Sequence, residues 1–246
     1  MNTKLLIDGD ILIYKVATSN EVATNWGDLW TLHCDQKRCE AEVDAAIDDL
    51  GSNLEADDYV VCLTDKANFR KDVLPSYKDN RKAKRKPMVL GALRDYVMEK
   101  HNGVVWKNLE ADDVMGIMAT EPSDEKRIIV SIDKDMKTIP CELSQDGMTV
   151  DTVPLKLANY WHMIQTLTGD KTDNYDGIDG VGIKTAEKLI MKYTNVSHKD
   201  LWKIVQGIYK DKGYTEAEAL QQARVAHICR HGDYNKKTGE VKLWTL

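Results

Sequence analysis

Short, uninterrupted apolar runs recur along this chain, and each stops at an acid. Leu5-Leu6-Ile7 ends in Asp8, Val60-Val61-Cys62-Leu63-Thr64 in Asp65, and Ile128-Ile129-Val130-Ser131-Ile132 in Asp133 with Asp135 beyond it. Runs of that length and bias read as strands buried on both faces, as in a parallel sheet. Strand-like segments near 4–8, 59–64, 103–106 and 127–132 alternate with helical periodicity near 40–50, 89–100 and 111–119. That alternation predicts an α/β unit, a mostly parallel sheet flanked by helices. After Pro154 the pattern turns helical: a helix over 155–166, a Gly-rich loop over 169–182, a second helix over 184–193, and further helical stretches over 201–209 and 216–230. The stretch 234–244, with Lys237-Thr238-Gly239 at its centre, predicts a terminal hairpin. Two units are expected, 1–154 and 155–246.

The strand-terminating acids carry the chemistry. In an open parallel sheet, ligands sit outside the carboxyl ends of the strands, so acids placed there share one crevice although they are far apart in sequence. Glu110, Asp112 and Asp113 open the helix after the 103–106 strand; alone they would be ordinary first-turn acids. Together with Asp8, Asp65, Asp133 and Asp135 at the same edge, they point to a site. Two like charges about 4 Å apart repel by roughly 4 kcal/mol at an effective dielectric near 20, so such a cluster calls for cations. Two hard cations about 3.5 to 4 Å apart activate water and stabilise a leaving oxygen in phosphodiester hydrolysis. Oxygen-only ligands suit magnesium, and the lack of His and Cys around these acids argues against zinc.

Composition changes this picture little. The chain has 246 residues, 42% hydrophobic and 30% charged, as in ordinary globular proteins. A net charge of -6 would argue against a polyanionic partner, but a metal-neutralised acid cluster accounts for much of it. The five cysteines form no CxxC pair, so neither a disulfide framework nor a zinc knuckle is indicated, and a reducing cytoplasm is expected. No apolar run reaches membrane-spanning length, and no signal-peptide core is present.

Two further features suit a nucleic acid. Phe69-Arg70, Tyr77-Lys78 and then Arg81, Lys82, Lys84, Arg85 and Lys86 follow Asp65 directly, so the cations stand over the mouth of the crevice, where basic groups can track phosphates and a ring can stack on a base. The loop Gly169-Asp170-Lys171-Thr172-Asp173-Asn174 adds Asp170 and Asp173 as candidate ligands. In the following Gly177-Ile178-Asp179-Gly180-Val181-Gly182, glycines allow backbone amides to approach an anion, with the helix at Lys184 and Thr185 pointing its positive end toward it. His227, Cys229 and His231, and His33 with Cys34 and Cys39, are weak metal candidates. Asp8-Gly9-Asp10 has the paired aspartates of haloacid-dehalogenase phosphatases, but Leu12 stands where their threonine is expected.

In combination, Leu6-Ile7-Asp8-Gly9-Asp10, the block from Asp65 through Lys78, Glu110-Ala111-Asp112-Asp113, Asp133-Lys134-Asp135 and Gly169 to Ala186 resemble the flap endonuclease and 5′-nuclease family, and within it the phage-encoded 5′ to 3′ exonucleases. The resemblance covers roughly residues 4–195. It implies a PIN-like nuclease core, a helix-three-turn-helix module gripping duplex DNA, and an arch over the active site near 69–87. It implies Asp65, Glu110, Asp112 and Asp113 as ligands of one magnesium ion, and Asp133, Asp135, Asp170 and Asp173 as ligands of the other. Asp8 would bridge them or bind through water, and manganese is an expected substitute. Lys78 resembles the basic residue beside the scissile phosphate, Tyr77 the base-stacking ring, and Arg70 and Arg81 arch residues on phosphates. The Gly177–Gly182 loop resembles a potassium site against the duplex. Lys15 stands where an arginine is common, and Asp176 where proline often precedes the loop glycine.

The implied activity is metal-dependent 5′ to 3′ exonucleolytic hydrolysis of duplex DNA, with flap cleavage and RNA-primer removal as related activities and RNA/DNA hybrids as further substrates. The implied setting is cytoplasmic, that of the host if the chain is phage-encoded. A PIN-type ribonuclease and an inactive DNA-binding homologue remain the alternatives.

Overall fold

The structure, a computed structural model, describes residues 2–246. In chain order it contains β1 (Thr3–Asp8), α1 (Gly9–Ser19), β2 (Val22–Asn25), β3 (Trp30–His33), α2 (Gln36–Asn53), β4 (Asp58–Cys62), α3 (Arg70–Val73), α4 (Leu90–Lys100), β5 (Gly103–Val104) and α5 (Ala111–Thr120). It continues with β6 (Lys126–Val130), β7 (Cys141–Ser144), β8 (Asp151–Val153), α6 (Leu155–Thr168), α7 (Ile183–Ile190), α8 (His198–Asp211), α9 (Glu216–Ala226), β9 (Tyr234–Asn235) and β10 (Glu240–Val241). Short 3₁₀ turns lie at Asp79–Arg81, Lys134–Thr138 and Met191–Tyr193.

The central sheet runs β5-β4-β1-β6-β7-β8, all parallel except β8, which lies antiparallel to β7. β1 is interior, and its register sets Asp8 beside Cys62 and Ile7 beside Val130. Successive strand residues face opposite sides. Leu5 and Ile7 therefore pack with Ile13, Val43, Val61 and Leu93 of α1, α2, β4 and α4, while Leu6 packs with Val60, Ile129, Val114 and Met115 on the α5 side. A third cluster unites α6, α7, α8 and α9 around Leu167, Val205, Tyr209 and Trp244. Local signals fix the helix starts: Asp8, Asp35, Ser197 and Thr215 each accept a hydrogen bond from an amide in the first turn they precede.

Several elements differ from the sequence pattern. The hairpin of β2 and β3 was not expected, nor were β7 and β8, which are three or four residues long and partly exposed. The strand expected over 103–106 pairs only at Gly103 and Val104. The helical stretch over 216–230 stops at Ala226, because Arg70 takes the carbonyls of Val225 and His227 and holds the chain extended. The terminal hairpin is present as β9 and β10. No helix among the described residues is long and apolar enough to cross a membrane.

Candidate active site

β1 delivers Asp8 to the carboxyl edge of the sheet, where its side chain accepts from the Ile11 amide at 3.1 Å and the Ser131 hydroxyl at 2.8 Å. It is 4% exposed. Burial pushes its pKa up to about 6 against those hydrogen bonds, and the charges of Asp10 and Asp133 add to the rise. β6 delivers Asp133 across the crevice, where it caps the turn at Lys134–Thr138 by accepting from the Asp135 amide. Asp135 is raised to about 7, by burial first and by Asp133 next. Asp112, in the first turn of α5, is raised well above the carboxylate range by burial and then by Asp8, Glu110 and Asp133.

Glu110 stands just before α5. It accepts from the Tyr77 hydroxyl at 2.9 Å and pairs closely with Lys78 Nζ. Asp173, from the loop after α6, takes the same tyrosine hydroxyl at 3.0 Å, lies 3.4 Å from Lys78 Nζ, and pairs closely with Arg81. Lys78 thus sits between carboxylates from two distant segments. Its own backbone is left-handed (φ 57), and its amide donates to the Asp173 carbonyl at 2.8 Å, which fixes the ammonium in place. Asp170 meets Lys134 at 3.1 Å and is also held by the Thr172 amide.

The structure thus gathers Asp8, Glu110, Asp112, Asp133, Asp135, Asp170 and Asp173 along one edge. Among the described residues no three acid, His or Cys side chains close tightly enough to hold an ion as they stand. Lys78, Arg81 and Lys134 are interposed instead. The donor set nevertheless fits hard divalent cations: it is all oxygen, and the upward shifts of Asp8, Asp112 and Asp135 show buried carboxyls short of positive charge.

Three expectations need correction. Asp113 is fully buried, and its two oxygens accept from both terminal nitrogens of Arg70 (2.7 and 2.8 Å) and from the Cys229 and Glu110 amides, so it has no face left for a metal. Arg70, 2% exposed, is the other half of that anchor and cannot contact phosphate. The Tyr77 ring is buried, and its hydroxyl bridges Glu110 and Asp173, so it is no stacking surface. Asp65 has its carboxylate held by the Asn108 and Lys66 amides, which keep it below the usual carboxylate range, and its nearby charge is Arg94, which also pairs with Asp10.

The remaining basic positions divide. Lys15, Lys84 and Lys86 are exposed, Lys82 pairs with Asp79 at 2.8 Å, Arg85 holds Glu21, and Arg81 is engaged by Asp173 and the Thr172 carbonyl. Gly177 is required: a Cβ there would lie 2.3 Å from the Gly169 amide nitrogen, and its φ is +63. Gly180, Gly182, Lys184 and Thr185 face solvent at the start of α7. His227 is bound to Asp233, His231 and His33 are exposed, and the thiols of Cys34 and Cys39 lie 3.5 Å apart.

Asp10 was missed as a site residue. It accepts from the Thr64 amide and Arg94 and raises Asp8. Its signal was present in Asp8-Gly9-Asp10. Ser131, which caps the Asp8 carboxylate, had no such signal.

The profile of the family described as 5′-3′ exonuclease, N-terminal resolvase-like domain, matches residues 3–142. The exonuclease of Escherichia phage T7 is 31% identical, the alignment covering 98% of this chain and 92% of that protein; the exodeoxyribonuclease of Enterobacteria phage T3 is 30% identical over the same shares. Among solved structures, a bacteriophage T5 protein co-crystallised with metal ions superposes with a TM-score of 0.67 at 17% identity, covering 92% of this chain and 89% of that one. The T5 flap endonuclease in a pseudo-enzyme-product complex with DNA and metal ions superposes at 0.63 with 18% identity over the same shares. Both share the α/β fold with its mostly parallel sheet.

Proposed function

The chain belongs to the 5′-3′ exonuclease family, and from that premise we propose the substrate and chemistry of its site: hydrolysis of duplex DNA from 5′ ends, with flap cleavage as a related activity, using two magnesium ions. The observation that carries this reading is the meeting of Asp8, Asp112 and Asp133 from three separate segments, with Glu110 and Asp173 clamped about Lys78 beside them. Asp8, Asp112 and Asp133 would hold one ion with Glu110, and Asp135, Asp170 and Asp173 the other. When bound, the ions supply Lewis acidity and a water of lowered pKa. The DNA and metal ions bound by the T5 enzyme support both halves of the proposal.

The protein's own groups do the rest. Ser131 and the Ile11 amide orient Asp8. Lys78, held between Glu110 and Asp173, would offer its ammonium to the phosphoryl oxygen where negative charge grows. Tyr77 keeps Glu110 and Asp173 in register from below. Arg81, Lys82, Lys84 and Lys86 track the phosphate backbone, with Lys15 on the exposed side of α1. The segment from α6 through the glycines to α7 would act as a helix-three-turn-helix grip on the duplex, with potassium at the Gly177–Gly182 loop.

The test is incubation of end-labelled duplex DNA, a 5′ flap, an RNA/DNA hybrid and single-stranded RNA, each with and without magnesium. Metal-dependent release of label from duplex 5′ ends is expected. Cutting of single-stranded RNA alone would favour a ribonuclease, and binding without cutting an inactive homologue.

A further inference from the structure

The least explained surface of the molecule is the hairpin of β2 and β3. Trp26 is 70% exposed, Trp30 66% and Leu29 60%, and Val22 and Leu32 are also open to solvent. Contiguous apolar exposure of this kind marks a binding surface. We propose that this hairpin is a stacking site for unpaired bases of the DNA substrate, a proposal that rests on the nuclease reading of the acid site.

Its position supports that assignment. α1 starts at the acid cluster and carries the chain beyond the carboxyl edge of the sheet. On the antiparallel helix α4, Arg94 meets Asp10 at the start of α1, whereas Arg85 and the Met88 amide, just before α4, hold Glu21 at its far end. Eleven helical residues rise roughly 16 Å. The hairpin therefore begins about one helix length along α1 from the acid cluster and is clamped, through Glu21, to the basic segment that ends at Lys86. Tyr14, 50% exposed, lies on α1 between the two and within electrostatic reach of Arg85.

The chemistry fits a single strand. Cationic side chains that follow the backbone, with aromatic faces beside them for successive bases, form the usual sequence-tolerant single-strand site. Lys82, Lys84 and Lys86 supply the first element, and the indoles the second. Trp30 pairs across the ladder with Asn25 and shares its face with Leu32, while Trp26 turns the other way and donates to the Thr31 hydroxyl at 2.9 Å. Each side of the hairpin thus offers one indole. Neither ring is needed by the core, since both lie outside every buried cluster.

The experiment measures affinity, in chelator and so without cleavage, for a labelled blunt duplex and for the same duplex with a short 5′ or 3′ overhang. Trp30→Ala or Trp26→Ala should weaken binding to an overhang by about 10-fold, and the double variant by at least as much as the more damaging single change, with blunt-duplex affinity unchanged. Trp30→Phe, which keeps a ring, should restore most of its share. Equal affinities of wild type and double variant for both overhangs would overturn the proposal, as would an equal loss on the blunt duplex. A change from dimer to monomer in sedimentation on Trp30→Ala would overturn it too, by making the hairpin a contact between copies. Unchanged melting temperatures separate these results from misfolding. Cleavage by the wild type is read separately, so failure of the nuclease reading is distinguishable.

Discussion

Lys78 shows how much one side chain is asked to do. Its ammonium is nearly enclosed, and Glu110 and Asp173 raise its pKa against the burial that lowers it, so it remains charged throughout the working range. Removing a preorganised donor aimed at developing charge typically costs about 10²–10³ in rate. Lys78→Met should therefore slow single-turnover cleavage by about that factor while leaving duplex affinity within a few-fold; a rate within threefold of wild type would remove Lys78 from the chemistry. Asp133→Asn should abolish cleavage with DNA binding retained, as read by gel shift in calcium. At this scale the sequence was legible where an acid ends a buried strand, as with Asp8 and Asp133. It was not legible inside Asp112-Asp113. Neighbours on a helix point about 100° apart, and nothing in two adjacent aspartates says which one faces the crevice. The structure sends Asp112 to the cluster and Asp113 into the interior against Arg70.

That buried pair decides how elements are joined. Arg70 opens α3 at the foot of the basic segment, Asp113 sits in the first turn of α5, and the guanidinium also binds the carbonyls at the end of α9. Three elements widely separated in sequence are thereby fastened at one point, directly beneath Glu110, which lies 3.5 Å from Arg70. Breaking one partner of a buried ion pair leaves an uncompensated charge and costs about 3–5 kcal/mol. Asp113→Leu should lose stability of that order in urea denaturation, and Arg70→Met alone should cost about as much. The double variant Arg70→Met/Asp113→Leu should recover a large part of the loss. Additive losses in the cycle would mean that the two act independently. The sequence reading made Asp113 a metal ligand and Arg70 a phosphate contact because pattern alone cannot see burial; the β2–β3 hairpin escaped it because its two strands are only four residues long and lie almost wholly exposed, too short for a strand pattern to stand out.

Across the whole molecule, two sets of buried titrating groups work in opposite directions. Asp8 and Asp135 have folded-state pKa values raised to about 6 and about 7, so the native state holds their protons more tightly than the unfolded chain does. Without metal, their ionisation destabilises the fold progressively as pH rises from the ordinary carboxylate value through about 7. His162, His198 and His227, gathered around Trp244 at the junction of α6, α8 and α9, are shifted down, His198 to about 4, chiefly by burial. Their contribution is complete above the unfolded histidine value near 6.5 and is lost as pH falls from there toward about 4. A divalent cation binds only the ionised acids, so magnesium should raise the melting temperature most at pH 8 and progressively less toward pH 5. Asp135→Asn removes one of the repelling charges and should raise the melting temperature of the metal-free protein at pH 8, shrink its response to magnesium, and abolish efficient cleavage. The same carboxylate would then be a cost to the empty fold and a requirement of the reaction. A metal-free Asp135→Asn protein no more stable than wild type at pH 8, measured by calorimetry in chelator, would show that the acids along this edge are not held together against their own repulsion, and the case for a cation-dependent site would lose its physical basis.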